Sequence, residues 1–141
     1  MKTIGRIVDG REVYHIADDQ SVREAARYMT ERRVGAVAVL SGDRLAGILS
    51  ERDIMGRVVA RGLDLDQTRV GEVMTRDLVR CHLDDSVEHA MGLVTEHRVR
   101  HLPVMDGSQV AGMISIGDLV KATLDEARDE NHHLKEYITA R

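Results

Sequence analysis

The sequence predicts an α+β fold in which two β-α-β-β-α units pack against each other about a pseudo-twofold axis. Three observations predict it: an internal repeat, a helix period followed by a hairpin pattern inside each copy, and a composition able to close an aliphatic core. When the 141-residue chain is slid against itself by 65 positions, residues 19–54 fall on residues 84–119 without a gap, about 14 of the 36 positions being identical. Most of the remaining positions exchange one aliphatic residue for another. One unit alone would leave a sheet face and helix faces in water, so the two copies are expected to pack on each other, and a cleft between them would carry two related sites.

Within each copy the local signals agree on the order of elements. A short extended segment, residues 13–16 in the first copy and 78–83 in the second, leads to a helix start. Ser21 with Glu24 forms a capping box, and Val22, Ala25, Ala26 and Met29 then fall on one helical face. Val87, Ala90, Met91 and Val94 repeat that face. An apolar run follows (36–40; 101–105), then a Gly-containing turn, then a second run ending at Ser50 or Ser115, which together predict a β-hairpin. A second helix is expected from Glu51 to about Arg61 with Gly62 as its stop, and from Ile116 onward. The expected organisation is therefore repeat 1 over residues 9–62, a connector over 63–76, repeat 2 over 77–128 and a helical extension over 129–141.

Composition removes several functional classes. Hydrophobic residues make up 43% of the chain, and a chain of this size can bury a core without disulfide staples. The longest apolar stretches are about five residues against the ~20 that a membrane helix needs, and the first residues lack a signal-peptide apolar region, so neither membrane insertion nor export is expected. Lone Cys81 has no thiol partner and no zinc spacing, which suits a reducing cytoplasm. Twenty basic and 24 acidic residues give a net charge of −4, and the only aromatics are three Tyr. Duplex DNA asks for a positive footprint and single strands for stacking platforms, so nucleic acid is not an expected partner. The seven His show no ligand spacing with Cys or carboxylates, so no metal site is expected, and no GxSxG, Walker-type or HExxH motif points to an enzyme.

Both hairpins end in one signature: Gly, two apolar residues, Ser, two variable residues, Asp. It reads GILSERD at residues 47–53 and GMISIGD at 112–118. The spacing alone describes a helix cap. The same geometry offers a hydroxyl and backbone N–H groups to a phosphate or polar ligand, with Asp53 and Asp118 placed to accept hydrogen bonds from sugar hydroxyls and the Gly allowing close approach of ligand or backbone. Two copies in register weigh more than one SxxD.

With this paired signature, the VGEVMT segment before the second copy and HLPV at residues 101–104, the chain resembles the tandem cystathionine β-synthase (CBS) domain family, or Bateman module, from about residue 9 to about residue 127. The resemblance implies a regulatory rather than a catalytic module. Its cleft would bind an adenosine-containing ligand such as AMP, ADP, ATP or NAD, with S-adenosylmethionine less favoured. By carry-over, Ser50 and Asp53 would serve one site, and Ser115 and Asp118 the other. Gly35, Ala36 and Val37, with Arg100, His101 and Leu102, would present backbone groups to the base edge while aliphatic side chains sandwich it.

The copies differ in charge. Arg98 and Arg100 alternate along RVRH and are expected to project to one side, as guanidinium forks suited to phosphate. Gly35 stands where the second copy has Arg100, and Arg52 stands where it has Gly117, so the two sites are expected to have unequal phosphate preference. On the last helix, Val120, Leu124, Ala127, Asn131, Leu134 and Ile138 form a heptad-like seam. That seam would either fold back on the N-terminal segment or join a homodimer, the second being the expectation.

Overall fold

The computed structural model describes residues 2–139, with side chains as far as residue 132. Strand β1 (His15–Ala17) precedes helix α2 (Val22–Arg32) and the hairpin β2 (Ala36–Ser41) and β3 (Arg44–Ser50), and a short helix α1 (Ile4–Val8) stands ahead of them. The second copy repeats the order as β4 (Cys81–His82), α5 (Val87–His97), β5 (His101–Asp106) and β6 (Gln109–Ser115). Each copy forms a three-stranded sheet whose outer strand runs parallel, and whose hairpin runs antiparallel, to the middle strand. The registers match to the detail of one irregularity, between Val39 and Leu40 in one hairpin and between Val104 and Met105 in the other.

The helix caps form at the expected serines, although the Ser21–Glu24 box closes on one side only, the Ser21 hydroxyl donating to the Glu24 carboxylate at 3.2 Å. Ser21 accepts the Glu24 N–H at the start of α2, and Ser86 accepts the His89 N–H at the start of α5. Both helices end on an arginine in the left-handed region, Arg33 at φ 56° and Arg98 at φ 54°, where glycine is the usual residue. The expected helix after the first hairpin is in fact a single turn, α3 (Glu51–Asp53), continued as a π-helix over Ile54–Val59 and stopped near Gly62 at φ 70°. Its counterpart α6 (Ile116–Thr139) is one continuous α-helix.

Residues 63–76 do more than connect. Helix α4 (Val70–Val73) and Met74 fill the first copy's core beside Ile16, Val22, Leu49 and Val58. Helix α1 does the converse: Ile4 and Val8 lie in the second copy's core with Val87, Leu102, Ile114 and Leu119. The segment ahead of each copy thus completes the core of the other. The backbone shows the same exchange, Gly5 N–H donating to the Leu83 carbonyl at 2.8 Å and Gly71 N–H to the Asp18 carbonyl at 2.9 Å.

This exchange shows the close approach expected at the signature glycines. A Cβ on Gly47 would lie 2.7 Å from both the Met74 Sδ and the Thr75 carbonyl oxygen, and one on Gly112 would lie 3.2 Å from Val8 Cβ. The missing side chains admit the exchanged segments, and Gly112 also lines the cleft beside Ser115 and Asp118.

Leu119 and Ala122 turn α6 toward the second core, while Val120 and Leu124, with Ala127 and Asn131, stay exposed. The seam therefore does not fold back onto the N-terminal segment over these residues. Leu134 and Ile138 lie outside the described side chains.

Candidate functional site

Two clefts open between the copies, of about 420 and 510 Å³, within the range of small-ligand sites. They are related by the repeat. The first takes Ser50 and Asp53 from the first copy and Arg98, Val99 and Arg100 from the second. The second takes Ser115 and Asp118 from the second copy and Arg33, Val34 and Gly35 from the first. Each cleft is thus composite, pairing the SxxD of one copy with the helix-to-strand turn of the other.

Both SxxD signatures are complete capping boxes. Ser50 N–H donates to Asp53 Oδ2 at 3.0 Å and Asp53 N–H donates to Ser50 Oγ at 3.1 Å; Ser115 and Asp118 do the same at 2.9 and 3.1 Å. The first N–H of each helix is also engaged, Glu51 with the Gly35 carbonyl and Ile116 with the Arg100 carbonyl, both at 2.9 Å. The backbone donors expected to be open to an anion are therefore largely used, and these two bonds hold each helix start against the turn of the same copy.

The two carboxylates differ in their remaining partners. Asp53 accepts from Thr75 Oγ1 at 3.1 and 3.3 Å and faces Arg57 Nε at 3.7 Å, and only 10% of its side chain is exposed. Arg57 itself is tied to the Val73 and Met74 carbonyls at 3.0 Å. Asp118 is 25% exposed and pairs with Arg11 at 3.2 Å across 107 residues. Burial pushes the Asp118 carboxyl up, but the Arg11 guanidinium and the Ser115 N–H and hydroxyl together pull it further down, leaving it below the usual carboxylate range.

Arg98 and Arg100 do line one cleft, although not by strand alternation: Arg98 caps α5 in the left-handed conformation and β5 begins only at His101. Arg52, Arg98 and Arg100 make no ion pair among the described residues, so the first cleft offers three uncommitted guanidinium groups. The second offers Arg33, since Arg11 is held by Asp118.

Ala36 lines the second cleft and His101 lines both. Val37 and Leu102 do not reach either cleft. Their side chains are wholly buried in the core of their own copies, since β2 and β5 are covered on both faces. The cleft residues not expected from the signature come from the exchanged segments and their sequels: Thr75, Asp77, Leu78 and Val79 in the first cleft, and Arg11, Glu12 and Tyr14 in the second. Their signal was present as a second repeat, IGRIV at residues 4–8 falling on VGEVM at residues 70–74 with an offset of 66. Cys81 is buried, and burial pushes its thiol up to about 12, so it is a packing residue rather than a nucleophile. Among the described residues no three of His, Cys, Asp and Glu converge to hold a metal ion, and no helix is long and apolar enough to cross a membrane.

A duplicated β-α-β-β-α unit with paired SxxD clefts defines a class, and comparison with known proteins identifies it. The family model for the CBS domain matches residues 5–60 and again residues 70–125. The chain belongs to the CBS-domain family, as a tandem pair. It is 38% identical over 143 residues to the mitochondrial CBS domain-containing protein CBSX3 of Arabidopsis thaliana, covering 98% of this chain and 69% of that one. A CBS-domain protein from Burkholderia ambifaria MC40-6 matches with a TM-score of 0.83 at 40% identity, over 88% of this chain and 95% of that one. The CBS domain protein PAE2072 from Pyrobaculum aerophilum, solved in complex with AMP, matches with a TM-score of 0.76 at 26% identity, over 83% of this chain and 89% of that one.

Proposed function

We propose that this chain is a regulatory sensor that binds an adenosine-containing nucleotide in the clefts between its two copies and signals by changing the packing of the copies. The observation that carries this reading is the composite build of each cleft: a ligand there touches both copies at once, so its binding energy depends on how they sit together. The AMP complex of PAE2072 supports the ligand class. Arg52, Arg98 and Arg100 suit the first cleft to the more highly phosphorylated ligands, ATP or ADP, or to the diphosphate of NAD, and the single uncommitted Arg33 suits the second to AMP. S-adenosylmethionine, a cation, fits the arginine-rich first cleft less well. The role is binding and signalling rather than catalysis. A reducing cytoplasm suits its lone buried thiol.

The signal is proposed to pass through a homodimer. Met55 and Val59 on the π-helix are 67% and 60% exposed, and the repeat places them on Val120 and Leu124, which are also exposed. Two such faces of one chain suit a self-complementary contact. Sedimentation of a chain truncated after Arg128 checks whether the extension carries it; an undiminished dimer would move the contact to the faces at Met55, Val59, Val120 and Leu124.

The capping boxes favour a second reading, in which the SxxD signatures are only caps and the chain is a dimerisation or interaction protein without a small ligand. A thermal-shift screen of AMP, ADP, ATP, NAD and S-adenosylmethionine on the wild type, Asp53→Ala and Asp118→Ala separates the two. A ligand that binds the folded state raises the melting temperature by mass action. A shift with an adenine nucleotide that Asp118→Ala diminishes supports the sensor; no shift with any of the five leaves the interaction protein.

A further inference from the structure

The two clefts share two lining residues, Gly35 and His101. The repeat pairs His101 with Ala36, so there is one imidazole at this seam where perfect symmetry would give two or none. His101 is half-buried and lines both clefts. Its backbone lies opposite Ser115 in the β5/β6 register, beside the signature of the second cleft. Its ring tip sits at the seam: Nε2 is 3.8 Å from the place a Cβ on Gly35 would take, and the Glu51 Oε1 of the first cleft is 3.2 Å from the same point. The absence of a side chain at residue 35 is what leaves this space to the ring.

We infer that His101 couples the two clefts, so that an anionic ligand bound in one weakens the binding of an anionic ligand in the other. The inference rests on the nucleotide-binding reading and names the regulation of those same sites. The physical reason is that the ring tip can give one N–H donor to one cleft at a time. A ligand phosphate in the first cleft that accepts from Nε2 fixes the ring toward Gly35, and the second cleft then faces a ring it cannot turn. Coupling of this kind is reciprocal, each ligand weakening the other by the same factor.

The test uses AMP as the probe and calorimetric titration of four full-length chains: wild type, His101→Ala, Arg52→Ala/Arg100→Ala, and the triple variant. The Arg pair is exposed and its removal disables the first cleft, so the second is measured alone. Alanine at residue 101 reproduces what residue 36 already holds at the matching strand position, so His101→Ala is compatible with the fold. The expected result is that AMP binds the second cleft of the wild type, with the first cleft filled, about five- to fiftyfold more weakly than it binds the Arg-pair variant. That ratio should fall to about one when His101 is alanine in both backgrounds. Two AMP sites with equal ratios in the presence and absence of His101 would overturn the coupling and leave the nucleotide reading standing. No AMP heat in any of the four chains would overturn both.

Discussion

The two clefts are built from equivalent positions, yet they hold their motif aspartates in opposite ways. In the first, Asp53 is buried and bound to Thr75, with Arg57 anchored to the Val73 and Met74 carbonyls just before it. In the second, the same offset of 66 puts Asp9 where Thr75 stands, and Arg11 reaches Asp118 from a half-exposed position instead. Arg76, next to Thr75, donates to the Gly71 carbonyl at 2.7 Å and forms no such pair with Asp53. The first aspartate is thereby part of the core's scaffold, while the second is held by a pair that a ligand can exchange. Duplication supplied the same backbone twice, and the exchanged segments made the copies unequal.

The largest effect should come from the glycine contacts that seat those segments. Gly47→Ala would drive a Cβ to 2.7 Å from a backbone carbonyl, which cannot yield cheaply, and overpacking of this kind costs about 3 kcal/mol, or roughly 9 °C in melting temperature for a chain of this size. Gly112→Ala meets the Val8 side chain at 3.2 Å, which can shift by a few tenths of an ångström, so about 1 kcal/mol is expected. Thermal melts of the two variants compare the copies directly. Equal losses would mean that α1 and α4 are seated equally rigidly.

Next in size is removal of the aspartates. Asp53→Ala takes the acceptor from Ser50 N–H and from the Thr75 hydroxyl at a buried position and removes the counter-charge of half-exposed Arg57, for about 2 kcal/mol of stability measured by urea unfolding. Asp118→Ala removes a cap and a half-exposed pair, for about 1 kcal/mol. The order should reverse for ligand affinity at each cleft, because Asp118 is the carboxylate with room for a sugar hydroxyl. Calorimetry on the same two proteins reads that reversal.

A smaller effect of opposite sign is expected at the helix ends. Arg98 occupies a left-handed conformation that glycine adopts without strain, so Arg98→Gly should stabilise the fold by about 1 kcal/mol, raising the melting temperature by roughly 3 °C, while weakening nucleotide binding to the first cleft. Arg33→Gly should stabilise equally and affect the second cleft instead. Stabilisation without loss of binding would remove these arginines from the ligand contacts.

How much of this was legible in the sequence depended on whether the signal was local. The helices, the hairpins and the capping boxes were, because spacing along the chain sets them: Ser21 to Glu24, Ser50 to Asp53 and the turns at Gly42 and Gly107 all act within a few residues. The identity of the clefts' other walls was not. The spacing that pairs Ser50 with Asp53 says nothing of Arg98 arriving from the other copy. Nor did the run of apolar residues at 36–40 and 101–105 show that Val37 and Leu102 would be covered on both faces. The segments 4–8 and 70–74 look like leaders to the copies they precede, and their crossing over is a property of packing that only their weak mutual repeat betrays. The strand alternation expected to project Arg98 and Arg100 to one side does not operate there, since Arg98 ends a helix and β5 begins only at His101.

The smallest effects should appear in the pH dependence of stability, where two groups at the second cleft lie below their usual pKa for different reasons. Burial lowers His101, outweighing the carboxylates of Glu51 and Asp118, and Arg100 adds to the lowering. The unfolded chain then takes up a proton below about pH 6.5 that the folded ring refuses, so stability falls as pH drops from that value toward the lowered folded one. Asp118 is lowered by its partners, so its contribution is complete above about pH 4 and is lost as pH falls through the folded value. Urea midpoints across pH 3 to 8 should therefore descend in two steps. His101→Ala should remove the upper step and Asp118→Asn the lower one. Because residue 36 is alanine, the first copy has no equivalent of the upper step, and a step surviving in His101→Ala would have to come from a different histidine.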